Sequence, residues 1–315
     1  MNQANTTIDN VLFSAAFAVL VGAALFGALA APAIAEEGGG AWTNRYSWNW
    51  NIGNHGDQIK GSGVVKEESR AVANFSRLTL AFPAIVTLTQ GAAESLTISA
   101  DDNLLPLIVT RVAGDQLVIE GTGTKGFSSK NEIRIRLTVK SLSAIAIKGS
   151  GDVIGDQLKS DKLDITIAGS GDVKFKSIRA DQFRIEIKGS GDVVVDALES
   201  KSVETAILGD GDIKLPSLKA TQVKISIRGS GDVSAAGTTD TVNIEITGDG
   251  DVNTRGLIAR EAGVKIMASG DVKVHAKEKL VASVTGSGDI RYAGTPANVS
   301  KSVRGSGTIE PMREK

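Results

Sequence analysis

Residues 183–198 read FRIEIKGSGDVVVDAL, and this stretch decides the fold. Apolar and polar side chains alternate on both sides of the Gly-Ser-Gly-Asp segment, which is typical of two short strands joined by a glycine-rich corner. Close copies of the segment recur along the chain at intervals of 18 to 20 residues. The copies begin at Gly149, Gly169, Gly189, Gly209, Gly229, Gly248, Ala268, Gly286 and Gly305. A period of this size indicates a repeat architecture.

The apolar positions of each repeat define an inner face. Relative to the first glycine, they recur at −6, −4, −2, +4 and +6, and often at +9. In residues 183–198 they are Phe183, Ile185, Ile187, Val193, Val195 and Leu198. One such coil has no opposing apolar layer and leaves its backbone groups unpaired. Stacked copies solve both problems, because each strand pairs in parallel with its copy about 4.8 Å away.

The sequence therefore predicts an all-β parallel β-helix, a solenoid with coils of about 20 residues marked by G-[SD]-G-D. An antiparallel sandwich of 20-residue hairpins is the alternative. Hairpins need a turn every 8–12 residues or so, and the second half of each repeat has no comparable glycine signature.

The first and third motif positions lie on the inner side of this pattern and are nearly always glycine. A corner with no room inside, or one that needs a positive φ, accepts glycine at no steric cost. We therefore expect a structural turn role for Gly149, Gly151, Gly169, Gly171, Gly189, Gly191, Gly229 and Gly231.

The motif aspartates would form one outward column in such a stack. Carboxylates about 5 Å apart repel by roughly 0.8 kcal/mol even in water. We expect each carboxylate to accept N–H groups of its own corner, as in Asx turns, and Lys148, Lys188 and Arg228 to lower the repulsion. The alternative is a cation-binding column, although the GGxGxD spacing of calcium-binding β-rolls is absent. Its ligands would be Asp172, Asp192, Asp212 and Asp232.

The composition argues against catalysis and nucleic-acid binding. The 35 Lys and Arg residues nearly balance 36 Asp and Glu residues, so no basic field attracts nucleic acid. Cysteine is absent and there are two histidines, which excludes thiolate chemistry, leaves the usual general base scarce and provides no histidine cluster for zinc. The recurring GSGD lacks the lysine and hydroxyl residue of a phosphate-binding loop. We predict a protein that is not an enzyme and has no cofactor.

A polysaccharide-binding or polysaccharide-cleaving β-helix is the alternative function. A catalytic site there would interrupt the repeat, and the irregular coil spans residues 255–279. Its candidate side chains are Arg260, Lys265, His275 and Lys277, and solvated surface explains them better than catalysis does.

The N-terminal region predicts export. Residues 11–31 are apolar, and Ala33-x-Ala35 has the small-residue pattern of a signal-peptidase site. We assign residues 1–35 to a signal peptide. An uncleaved membrane anchor is the alternative, because the apolar run is about as long as a membrane span. It is the only membrane contact that we expect.

Residues 36–59 form a predicted linker rich in Gly and Trp, which holds all three tryptophans. An aromatic patch for sugar or membrane contact is the other interpretation of this tract. Residues 60–311 form the predicted β-helix, with regular repeats over residues 141–311. Residues 60–65, KGSGVV, look like a forerunner of the repeat.

The start of this domain resembles a known family. The residues that carry the likeness are KGSGVVKEESRAV from Lys60, VTLTQG from Val86, LTISADDNLL from Leu96 and LVI from Leu117. With the GSGDV array, they are similar to the putative auto-transporter adhesin, head GIN domain family. The resemblance covers roughly residues 60–310. It implies a right-handed parallel β-helix outside the cytoplasm of a bacterium, and it brings no catalytic residues.

Together these observations predict an exported envelope or surface protein that presents a regular face for binding or structural roles. Its partner would be a protein or a glycan in the periplasm or at the cell surface. The sequence does not identify that partner.

Overall fold

The structure is a computed structural model that describes the backbone of residues 48–50 and all of residues 58–123 and 126–312. The predicted signal peptide and most of the predicted linker lie outside these ranges. The first strands are β1 Trp48–Trp50, β2 Ile59–Lys60, β3 Val65–Arg70, β4 Arg77–Leu80, β5 Ile85–Gln90, β6 Ser95–Asp101, β7 Ile108–Ala113, β8 Gln116–Gly121, β9 Phe127–Ser129 and β10 Arg134–Val139. A 3₁₀ turn, Leu105–Leu107, follows β6.

The remaining strands build the regular array. They are β11 Ala144–Ile147, β12 Asp152–Ile167, β13 Val173–Ile187, β14 Val193–Ile207, β15 Ile213–Ile227, β16 Val233–Ile246, β17 Val252–Ile266, β18 Val272–Gly286, β19 Ile290–Ala293, β20 Asn298–Gly305 and β21 Ile309–Pro311. Each strand from β12 to β17 pairs in parallel with the next, and Val153, Val173 and Val193 are in register. The predicted β-solenoid is confirmed, and the antiparallel sandwich is wrong.

The core is a set of apolar columns inside the stack. Phe183, Ile185, Ile187, Val193 and Val195 are all buried, and so are their counterparts in neighbouring coils. Burying each such side chain stabilises the fold by about 1.5–3 kcal/mol, which offsets the conformational entropy of ordering a coil. The period-two pattern therefore identified the inner face correctly.

The second half of each coil is more regular than the sequence suggests. The sequence has no glycine signature after Leu198, yet Leu198 pairs with Leu218 and Ser200 pairs with Ala220 in the ladder. Position +11 adds an inner column of small residues, where Ala180 and Ser200 are buried. The Ser200 hydroxyl donates to the Ser202 carbonyl (2.9 Å), which satisfies this polar group at the corner.

The first coils are stacked out of chain order. Strand β4 lies between β11 and β8, and β5 lies between β12 and β10. Residues 77–90 therefore sit between two later segments of the chain. No local sequence pattern encodes this order, because the inserted strands pair only with residues distant in the sequence.

The corner of this early coil has its own sequence. Phe82-Pro83-Ala84-Ile85 stands where later coils have Gly-Ser-Gly-Asp, and the Lys148 N–H donates to the Leu80 carbonyl (2.8 Å) just before it. Residues 60–65 do not stack as a corner, so the expectation that they begin the repeat is wrong. Instead, the Ser62 N–H donates to the side-chain oxygen of Asn103 (2.9 Å), just beyond β6.

A buried carboxylate fastens the N-terminal strands. Asp101 is 1% exposed and accepts bonds from the Ser129 hydroxyl (2.7 Å) and the Asn131 amide (2.6 Å). Gly61 lies so close that a Cβ there would overlap the Asp101 carboxylate. Strand β6 also pairs antiparallel with β3 and β10, so these strands cover the start of the stack.

The last coil ends differently. Strand β20 pairs with β18 and with no other described strand. Its inward residues Val299 and Val303 remain 41% and 44% exposed. Between them, Lys301 donates to the Ile309 carbonyl (3.0 Å) and its Nζ lies 4.7 Å from the centre of the Tyr292 ring. A charged side chain thus terminates an apolar column.

Across residues 58–123 and 126–312, no helix is long and apolar enough to cross a membrane. The apolar run of residues 11–31 is outside these ranges.

Candidate functional site

The corners of the stack bring the motif glycines into close contact. A Cβ at Gly191 would overlap the carbonyl oxygen of Gly171, and one at Gly189 would overlap that of Gly169. The same overlap recurs along both glycine columns from Gly169 to Gly250. We attribute the glycines to this approach of successive backbones, because the eight glycines predicted as turn residues have no positive φ.

The motif aspartates form a continuous chain of hydrogen bonds, which we call the aspartate ladder. In each coil the aspartate N–H donates to the Oδ1 of the aspartate one coil earlier. The ladder runs through Asp152, Asp172, Asp192, Asp212, Asp232, Asp251, Asp271 and Asp289 and ends at the Thr308 N–H. The eight N···O distances lie between 2.7 and 3.0 Å. We had expected acceptance within the same corner, but these bonds join neighbouring coils.

Burial and mutual repulsion perturb the start of the ladder. Burial, assisted by the nearby charge of Asp172, raises the pKa of Asp152 to about 6. Burial also raises the pKa of Asp172. At the other end, hydrogen bonding from Thr308 lowers the pKa of Asp289. The accepted N–H bonds partly compensate for bringing the carboxylates together.

The cations that pair with the ladder differ from those we expected. The Nζ of Lys214 lies 3.1 Å from the Oδ2 of Asp212, and the Nη2 of Arg291 lies 3.3 Å from the Oδ2 of Asp289. Lys188 instead pairs with Glu186 (3.3 Å) on the preceding strand. The compensating charges thus come from position +5, after the corner, rather than from position −1.

The possible cation site consists of carboxylates that follow one another in one row along the stack, one per coil. They belong to Asp172, Asp192, Asp212 and Asp232. In the part of the chain that the structure describes, no group of three or more His, Cys, Asp or Glu side chains is placed to hold a metal ion. One oxygen of each of these carboxylates is already engaged by an N–H of the next coil.

The irregular coil does not gather its candidate residues into one cluster. Arg260 pairs with Glu261 (2.6 Å), whereas Lys265 pairs with Glu245 (3.2 Å). His275 lies in β18 at a break in register with β17. The irregularity is a pair of register shifts in the ladder, and Arg260 and Lys265 form separate ion pairs.

A groove follows the return side of the stack, and the sequence analysis did not predict it. It has a volume of about 690 Å³ and extends over five coils from Gln157 to Thr238. We call it the return-face groove. The side chains at position +9, such as Leu198 and Leu218, are only 2% exposed and point into the core. The groove floor is therefore the backbone of this column, and the walls are the flanking columns at +8 and +10.

Gln90 closes one end of this groove. Its Nε2 donates to the carbonyls of Lys140 and Lys159, both at 3.0 Å, and its Oε1 accepts the Lys159 N–H (2.8 Å). Strand β5 ends here, and the glutamine side chain makes the bonds that a return strand would make. Beyond Gln90 lies a second depression of about 650 Å³ that includes Lys140 and Lys162.

A sequence signal for the groove existed at position +9. The triplets Gln157-Leu-Lys, Ser177-Ile-Arg, Ala197-Leu-Glu and Ser217-Leu-Lys share a small or polar residue, an apolar residue and a charged residue. Their recurrence identifies two outward columns. The concave bend between these columns depends on the path of the coil and is not encoded in the triplets.

The coils, the corners and the ladder define this protein as a β-solenoid of stacked 20-residue repeats. Its sequence matches the profile of the putative auto-transporter adhesin, head GIN domain family over residues 74–197 and 183–296, and the chain belongs to that family. No curated protein sequence matches the chain.

Solved structures share the fold. A putative adhesin from Parabacteroides distasonis ATCC 8503 is 23% identical, with a TM-score of 0.66, and the match covers 81% of this chain and 100% of that one. A putative adhesin from Parabacteroides merdae ATCC 43184 is 23% identical, with a TM-score of 0.64 and coverage of 82% and 100%. A putative lipid binding protein from Parabacteroides distasonis ATCC 8503 is 24% identical, with a TM-score of 0.64 and the same coverage.

Proposed function

We propose that this protein is exported and acts outside the cytoplasm as a non-enzymatic, adhesin-like binding protein. The observation that carries the proposal is the return-face groove, which five successive coils present on a fully stacked backbone. Parallel ladders and the aspartate ladder join each coil to the next, so the groove is preformed. A preformed surface reduces the entropy lost on binding.

The export route rests on residues 1–35, which we propose to be a signal peptide that is removed after Ala35. Residues 36–59 would then link the mature N-terminus to the solenoid. The family assignment supports a location at the bacterial surface or in the periplasm. The partner would be a protein or glycan of that compartment. The charged wall of the groove favours a polar partner over an acyl chain.

Fractionation of the native host tests the proposal. We expect the protein in the envelope or medium, accessible to a membrane-impermeant label if surface-exposed, with Glu36 as the N-terminus in mass spectrometry. Ala35→Phe should leave an unprocessed precursor in the membrane, because signal peptidase requires a small residue there. A full-length protein that begins at Met1 or Asn2 and resides in the cytoplasm would refute the proposal.

A further inference from the structure

The dimensions of the return-face groove suit an extended ligand. Neighbouring parallel strands lie about 4.8 Å apart, so five coils give the groove a length of about 19 Å. The first four of these coils contribute the same positions, +8 and +10, to the two walls, and the fifth contributes Gly237 and Thr238. A ligand that fits this repetition is a chain whose own units recur at about the coil spacing.

One wall of the groove is cationic. Position +10 holds Lys159, Arg179, Glu199 and Lys219 in four successive coils. Glu199 pairs with the Arg179 guanidinium and lies 4.0 Å from Lys219. Lys159 makes no side-chain ion pair with any residue in the described ranges. Three cations against one carboxylate leave this wall with a positive excess.

The Arg179–Glu199 pair orients the cationic wall. Both Nε and Nη2 of Arg179 donate to one oxygen of Glu199. Hydrogen bonding from Arg179, followed by the nearby charges of Arg179 and Lys219, lowers the pKa of Glu199. The carboxylate therefore stays ionised and holds the guanidinium. The remaining N–H groups of the guanidinium are directed elsewhere and can bind an anionic group.

The opposite wall is small and polar. Position +8 holds Gln157, Ser177, Ala197 and Ser217. Short hydroxyl and methyl side chains leave room for a bulky ligand unit, and hydroxyl and amide groups both donate and accept hydrogen bonds. The two walls together thus offer charge on one side and space with polar contacts on the other.

The floor of the groove disfavours a peptide strand as the occupant. Leu158, Ile178, Leu198 and Leu218 pair with one another through the parallel ladder. Their backbone groups are therefore engaged, whereas a peptide that adds a strand to a sheet needs a free edge. A ligand here must be recognised through side chains.

We propose that the return-face groove binds an extended anionic polysaccharide, whose sulfate or carboxylate groups contact Lys159, Arg179 and Lys219. The spacing of the coils is comparable to the length of one sugar residue, so hydroxyls of successive residues meet successive coils. This inference rests on the proposed function and names the ligand class of the same groove.

Direct binding of a heparin-derived sulfated tetrasaccharide to the chain, purified as the host processes it, tests the inference. The groove variant is the double substitution Lys159→Gln/Lys219→Gln. The control is the double substitution Lys174→Gln/Lys277→Gln, which removes the same charge from exposed positions outside the groove. The groove variant should bind about tenfold more weakly, because two charge-assisted contacts are lost. The control should stay within about twofold of wild type, and wild-type affinity should fall as salt rises.

Protection from acetylation gives a second measurement that does not depend on the variants. The bound tetrasaccharide should slow acetylation of Lys159 and Lys219 but not of Lys174. The inference is overturned by equal weakening in both variants, by absence of this protection, or by binding of poly-glutamate in preference to the sulfated tetrasaccharide. If the protein is found outside the cytoplasm but fails these binding tests, only the ligand class is refuted. If the protein is found in the cytoplasm, the proposed function itself is refuted.

Discussion

The backbone N–H of Asp192 donates a 2.8 Å hydrogen bond to the Oδ1 of Asp172, twenty residues earlier in the chain. The residue after each aspartate adds a backbone bond between the same coils; the Val173 N–H, for example, donates to the Asp192 carbonyl (2.8 Å). Each corner is thus joined to the next by a side-chain bond and a main-chain bond. The aspartates therefore help to fix the register of the stack.

Replacing Asp192 separates its role as an acceptor from its charge. Asp192→Asn keeps an acceptor oxygen for the Asp212 N–H and removes a repelling charge, so the free energy of unfolding should hold or rise. Asp192→Ala should lower it by about 1 kcal/mol through the lost bond. The matched control is Asp196→Ala, an exposed aspartate outside the ladder, which should be nearly silent. Urea unfolding of the three variants measures these differences.

The same variants address cation binding. We expect wild type to melt at the same temperature with calcium and with chelator. If the ladder bound calcium, chelator would lower the melting temperature, and Asp192→Asn would largely abolish that effect because hard cations need carboxylate charge. That pair of results would contradict the hydrogen-bonding role.

Asp152 should make stability depend on pH. Its pKa is about 6 in the folded protein and 3.8 in the reference state. The folded state therefore binds the proton more tightly, and the resulting stabilisation is lost as pH rises from about 4 through 6. Asp152→Asn has no such loss, so its stability relative to wild type should increase from pH 4 to pH 7. A difference that is constant over this range, or that reverses, would show that Asp152 is not desolvated as described.

Gly191→Ala should strongly destabilise the stack. Its Cβ would overlap the Gly171 carbonyl oxygen, so two backbones would have to separate, at a cost of about 2 kcal/mol or more. Gly263→Ala is the control. The added Cβ would lie 2.6 Å from the side-chain Oδ1 of Asn243, which can rotate away. Thermal unfolding compares the two. Equal melting temperatures would mean that the coils at Gly191 are not packed as closely as described.

Lys301 should protect the end of the solenoid from association. Edge strands commonly avoid pairing with other chains by carrying inward-pointing charges, and Lys301 occupies such a position between Val299 and Val303. Lys301→Leu should form concentration-dependent oligomers, whereas Lys277→Leu, on an exposed part of β18, should not. Light scattering after size-exclusion chromatography distinguishes them. If both variants stay monomeric, the open strand needs no charged protection.

The repeat itself was predictable from the sequence because each coil carries the same local information. Ile187 and Val193 alternate with polar residues, and the intervening glycines set the corner, so one period determined the inner face of all the regular coils. The direction of the Asp172 bond was not predictable. A carboxylate at an outward corner position can reach its own corner or the next one, and the residue pattern is the same in both cases.

Features of the fold that depend on contacts between distant residues also could not be predicted from the sequence. Residues 77–90 lack the Gly-Ser-Gly-Asp signature. The place of β4 between β8 and β11, and of β5 between β10 and β12, depends on pairing with distant strands. The return-face groove depends on how the backbone bends around Leu198. The flanking residues at +8 and +10 could be listed from the sequence, but only the folded coil shows that they face each other across a groove.

Deleting one whole coil tests the central claim, that 20-residue units stack in register. Removal of residues 189–208 joins Lys188 to Gly209 and lets Asp212 take the place of Asp192 on Asp172. Since each coil contacts mainly its two neighbours, we predict a soluble, β-rich protein with one cooperative unfolding transition. Removal of residues 189–198 alone, which breaks the register, should prevent folding. Aggregation of the 20-residue deletion, or equal stability of the two deletions, would contradict the account.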